Sequence, residues 1–185
     1  LTELIDIVKS VLPAAEIMLH ETWSWGVWDD VKEEIQITID GVSQTLNVDV
    51  RCYNIMYNYA SASALYAGGA EIIHSGLAIE LAREYYGDHH KFNDYDGGNY
   101  QHLNELGKYI AGAAYVATIF GCDIRENTFG DGNTAFDGLD LAKAREIVNR
   151  AVTQGDELVD AVCSELFESN FIRSHLQSVS TIVQS

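Results

Sequence analysis

Several groups of side chains in this sequence are of types that do chemistry, and their spacing says which chemistry. The richest in hard oxygen donors runs from residue 123 to 140, where Asp123, Glu126, Asp131, Asn133, Asp137 and Asp140 stand around Gly130 and Gly132. Calcium takes about six to eight oxygens from flexible loops, so this stretch is a candidate calcium or other cation site. The local alternative makes Asp137 a helix N-cap, places Asp140 at the third helical position, and gives the glycines to turns. A second pair, Glu71 and His74, stands at i and i+3 on an expected helix. That spacing supplies one half of a di-iron carboxylate site and marks a possible metal-dependent enzyme of bundle type. A complete site needs a second such pair, which the sequence lacks, so a polar stripe with a satisfied histidine is the alternative. His89, His90 and His102, with Asp94 and Asp96, are donors that suit zinc, but they obey no ligand spacing and read as a solvated loop. Cys52, Cys122 and Cys163 form no CxxC pair; Cys52 and Cys122 lie near element ends where an oxidising environment could join them, and Cys163 falls on an apolar helix face. No GxSxG elbow, phosphate loop or dinucleotide fingerprint is present.

Two short stretches of the acidic loop resemble known motifs. Asp131-Gly132-Asn133 followed by Phe136-Asp137-Gly138-Leu139-Asp140-Leu141 resembles the loop-and-helix half of a dockerin or EF-hand repeat, which implies calcium. With Asp131 as the fifth loop position, however, Phe129 takes the third and Gly138 the twelfth, where a carboxylate is required. Phe129-Gly130-Asp131-Gly132-Asn133 is also similar to the centre of the Fic-family motif. The flanking positions that carry that family's catalytic His and phosphate-binding Arg hold Asn127 and Ala135 here, so the similarity implies no Fic activity.

The elements that must position these groups are mainly helical. Leu4, Ile5, Val8, Leu12, Ala15 and Leu19 predict a helix over 3–20, kinked or split at Pro13. Trp23, Trp25 and Trp28 come next in an irregular segment. The sharpest local signal is a β-hairpin over 34–50: Ile35, Ile37 and Ile39 alternate with polar residues up to Asp40-Gly41, a two-residue hairpin turn. That turn sets Ile39 opposite Val42, Ile37 opposite Gln44 and Ile35 opposite Leu46. The hairpin then packs on the helices or adds to a neighbouring chain. From Tyr53 to Tyr86 the chain reads as one long helix or two end to end, with Gly68-Gly69 as the natural break. A second Ala/Gly-rich helix is expected over 101–120, stopped by Gly121. A Gly- and acid-rich loop over 121–138 leads to two further helices, 138–152 and 155–168. The fold class is therefore mainly α: a single-domain helical bundle over 1–170 with two central Ala/Gly-rich helices and an inserted hairpin, then a tail or arm over 171–185.

A net charge of −17 leaves no basic surface, which argues against direct contact with nucleic acid or anionic membranes. At 47% hydrophobic residues the chain is too apolar to be a disordered polyanion. No apolar run reaches the roughly 18 residues of a membrane span; Tyr109–Cys122 comes nearest and reads as a core helix. The first residue is Leu1, which leaves secretion open. With each chemical group matched by a simpler role, the small-residue helices, projecting hairpin, Trp- and Tyr-rich stretches and Ser-rich tail point to self-association. The expectation is a non-enzymatic structural or assembly subunit of virion, filament or surface-layer type. It would be a homo-oligomer, extracellular or in a virion.

Overall fold

Pro13 decides where the first helix ends. In the computed structural model, which describes residues 2–23, 32–39, 42–49, 71–88, 90–94 and 102–168, α1 (Thr2–Val11) stops two residues short of it. The residue before a proline is pushed out of the helical region, and Leu12 manages only one more amide bond, to the Val8 carbonyl at 2.8 Å. The Lys9 ammonium reaches forward to the Ala15 carbonyl across this helix end. The expected helix over 3–20 is thus about half its length; a turn at Pro13–Ala14 and an irregular stretch follow, and only its last three residues form β1 (Met18–His20).

The hairpin forms β2 (Lys32–Ile39) and β3 (Val42–Asp49) with the register deduced from the turn: Ile39 opposite Val42, Ile37 opposite Gln44, Ile35 opposite Leu46. It starts and ends within two residues of the expected bounds and lies with β2 along the last helix of its own chain. Of the long helix, or two end to end, expected from Tyr53 to Tyr86, the described part is helical only from Ser75 onward. Residues 53–70 lie outside those described, but Glu71–Ile73 is a strand, β4, paired parallel with β1 through Met18–Glu71, Leu19–Ile72 and His20–Ile73. Two consecutive β-branched isoleucines suit a strand better than a helix. Only after His74 does α2 (Ser75–Tyr86) begin, and Gly87 ends it in the left-handed conformation at φ 65°.

Helix α3 (Glu105–Phe120) matches the second Ala/Gly-rich helix. Asn104 caps it by accepting from the Gly107 amide at 3.0 Å, and Gly121 closes it at φ 57°. The two helices expected over 138–152 and 155–168 are one continuous helix, α4 (Leu141–Glu168). Gly155 does not break it, since an isolated glycine lowers helix stability by only about 1 kcal/mol. Helices α2, α3 and α4 pack against one another. Ile79, Ala82, Ile110, Ala114, Ala144, Val148, Ala151 and Leu158 are wholly buried at the seams, with Phe92 from the connection between α2 and α3. The protein is mainly α, with a two-stranded parallel sheet and a separate hairpin added to three mutually packed helices.

Small residues set the spacing where α3 enters this core. A methyl group at Gly107 would overlap the Phe92 carbonyl oxygen and come within 2.9 Å of Leu103 Cδ2. Gly107→Ala is therefore expected to lower the unfolding free energy by about 2 kcal/mol, the overlap outweighing a propensity gain of about 1 kcal/mol. A urea midpoint at or above that of the parent protein would show instead that the 90–94 segment retreats freely.

Candidate functional site

The most highly built arrangement of ionisable groups centres on His74, which occupies the N-cap position of α2 and is buried. The β1–β4 pairing brings Glu21 alongside: its amide donates to the Ile73 carbonyl at 3.1 Å, and its own carbonyl accepts from the Gly76 amide at 3.0 Å and the Ser75 hydroxyl at 2.8 Å. The Glu21 carboxylate then meets His74 Nδ1 at 2.8 Å, while His74 Nε2 meets Asp156 Oδ1 of α4 at 3.0 Å. Gly155 makes the second contact possible. A Cβ there would lie 2.5 Å from His74 Nε2 and 2.6 Å from Cγ, so the imidazole rests on bare helix backbone. The sequence folds this way because β1 ends where α2 begins and α4 runs past that junction.

The electrostatics come from depth. Burial pushes the Glu21 carboxyl above the usual carboxylate range, with His74 and the nearby Leu77 amide pulling it part of the way back. Burial also pulls His74 down, but the two carboxylates on opposite sides of its ring outweigh that and hold it above the ordinary imidazole value. Glu21 Oε1 is buried and has no hydrogen-bond partner among the described residues. Asp156 is 73% exposed, so the chain Glu21, His74, Asp156 runs from the interior to solvent. Such a line can hold a proton or hand it outward. It cannot attack a substrate, because neither His74 nor Ser75 is accessible. The Ser75 hydroxyl is likewise committed: it donates to Glu21 O and accepts from His20 Nε2 at 2.6 Å, which fixes that tautomer of His20.

His74 was visible in the sequence, but its expected partner was not the real one. Glu71 stands exposed on β4 rather than one turn away on a helix, so the helical Glu71–His74 pair does not form. The pairing that sequence reasoning missed is with Glu21 and Asp156, separated from His74 by 53 and 82 residues. Gly155 was the available signal, because a glycine kept inside a long helix asks for a packing reason.

Asp123, Asp131, Asn133 and Asp140 of the acidic loop each have individual partners. Asp123 caps the 3-10 turn Ile124–Glu126 and binds the Arg125 guanidinium, which holds its carboxyl down at about 2. Asn133 caps a second 3-10 turn, Thr134–Phe136, by accepting from the Ala135 amide. Asp131 accepts from Arg145 Nη2 at 2.5 Å, and Arg145 also donates to the Phe129 carbonyl and the Tyr109 hydroxyl. The cap of α4 is Asp140, whose Oδ1 takes the Lys143 amide at 3.1 Å; Asp137 sits instead at the end of the second 3-10 turn. Glu126 and Asp137 are exposed. Among the described residues no three His, Cys, Asp or Glu side chains come together as metal ligands. Cys122 is an exposed free thiol; Cys52, His89, Asp96, Trp25, Trp28 and the tail over 171–185 lie outside the described residues, as does the side chain of Cys163. None of the described helices is long and apolar enough to cross a membrane. No known protein family, curated protein or solved structure matches the chain.

Proposed function

We propose that this chain is a non-enzymatic assembly subunit, of the kind that builds virions, filaments or surface layers, and that copies meet through the outer faces of α1 and α3. The observation that carries the reading is that both helices leave several large apolar side chains uncovered. In α3, Tyr109, Ile110, Ala114 and Ala117 face the core, yet Val116, Ile119 and Phe120 are exposed on the other side, Phe120 at 74%. Gly112, Ala113 and Val116, with Tyr109, Ile124 and Phe129, line an apolar groove of about 420 Å³. In α1, Ile5 is buried while Leu4, Ile7 and Val11 form an exposed stripe one turn apart. A helix apolar on both sides, as α3 is, is normally covered on both, and a clustered apolar surface such as that of α1 marks an interaction site. The charge of −17 opposes contact between copies everywhere else, so it selects these faces for docking.

Light scattering at low and high salt tests the reading. The protein should exceed the monomer mass, more so at high salt, where screening weakens the mutual repulsion. Phe120→Asp and Ile7→Asp should each weaken association about 100-fold, corresponding to about 3 kcal/mol for a large apolar side chain left uncovered, with unchanged circular dichroism. A monodisperse monomer at every concentration and salt would remove the proposal.

A further inference from the structure

We infer that Glu21, His74 and Asp156 form a proton-dependent latch that fastens the segment around β1 and the start of α2 to the middle of α4. The geometry is that of a fastening. One imidazole bridges two carboxylates from distant parts of the chain, at 2.8 and 3.0 Å, and it lies against a helix residue that has no room for a side chain. The β1 segment is held at the same point by the Glu21 backbone bonds to Ile73, Ser75 and Gly76. A protonated His74 donates to both carboxylates at once. A neutral His74 has one N–H, so it can donate to one and must face the other with a lone pair. Deprotonation therefore releases one side of the bridge, and either release loosens the β1 segment from α4.

The charged surroundings act in the same sense. Glu21 comes from the segment after β1, Glu80 from α2 acts on Glu21 by like charge, and Asp156 comes from α4; His20, which burial pushes below the ordinary imidazole value, is engaged with Ser75. All three carboxylates favour keeping a proton at this point. Because His74 is held above the ordinary imidazole value, its stabilising contribution is fully present below about pH 6.5 and is lost as pH rises through the higher folded value. Glu21, also raised, acts with the same sign: the folded chain holds the shared proton more firmly than the unfolded one.

The test combines His74 titration by NMR with amide exchange of residues 18–23 between pH 5 and pH 9, on the full chain. The imidazole midpoint should lie above about 6.5, and the protection of amides 18–23, taken against the intrinsic base-catalysed rate at each pH, should fall through that midpoint. Asp156→Asn, an exposed site whose substitution leaves the core untouched, should lower the midpoint by about half a pH unit and carry the exchange transition down with it. His74→Gln should abolish the transition. A midpoint at or below the ordinary value, protection at 18–23 indifferent to pH, or an Asp156→Asn transition unmoved from the parent would each overturn the latch. If His74→Gln fails to fold, the Asp156→Asn comparison decides alone.

Discussion

Gly155→Ala is expected to destabilise the protein by about 3 kcal/mol, although alanine is the better helix former by about 1 kcal/mol. The sign is decided by what the new methyl group meets. It would sit inside the His74 ring, 2.5 Å from Nε2, at a separation that side-chain atoms do not tolerate. The ring is buried and bonded on both sides, so it can yield only by leaving Glu21 or Asp156. Breaking a buried charged pair by removing one partner is destabilising by about 3 to 5 kcal/mol, which exceeds the propensity gain. Urea unfolding measures the difference directly. An alanine variant more stable than the parent, as propensity alone dictates, would mean that the imidazole is not seated on α4. A second comparison isolates the overlap: His74→Ala is itself destabilising because it leaves Glu21 without its partner, but in that background Gly155→Ala should cost nothing further, because the overlap is gone.

What could be read from the sequence was local. The β2–β3 register came from a period of two and an Asp-Gly turn, both confined to some sixteen residues, and it stands as deduced. Helix α3 was legible from its composition and the glycine that ends it. Elsewhere a distant partner overrode a local preference. Residues 18–20 have little strand signal of their own and 71–73 only its two isoleucines, and both become strands by pairing with each other across about fifty residues. The cost of Gly155 to α4 is local and visible, whereas the contact that uses it, with the imidazole from 81 positions earlier, is not.

The site divides in the same way. Local capping chemistry in the acidic loop was legible in kind but assigned to the wrong aspartate: the cap of α4 is Asp140 and not Asp137, since a further turn intervenes. The pairing of Asp131 with Arg145 was not legible, because it needs α4 to fold back along the loop. His74 stood out by type, but no spacing rule connects it to Glu21, which the expected first helix had left beyond its end.

Arg83 carries the other large effect. Its guanidinium is 1% exposed, pairs with Glu80 one turn earlier on α2, and donates to Asn93 Oδ1 at 2.6 Å. Asn93 belongs to the segment that approaches α3: the Asn104 amide donates to the Phe92 carbonyl at 3.1 Å, and the Asn104 side chain donates to the Lys91 carbonyl at 2.8 Å. Arg83 thus ties the end of α2 to the cap of α3. Arg83→Ala should reduce stability by about 4 kcal/mol, because the Glu80 carboxylate, only 10% exposed, is left buried without its countercharge. Arg83→Lys should fall nearly as far, since one ammonium lacks the planar fork that serves Glu80 and Asn93 together. The contrast that identifies the mechanism is Arg83→Met with Glu80→Leu. Removing both charges at once eliminates the uncompensated carboxylate, so this pair should be more stable than Arg83→Ala alone. A double variant as unstable as Arg83→Ala would locate the contribution of Arg83 in its packing volume and not in its charge.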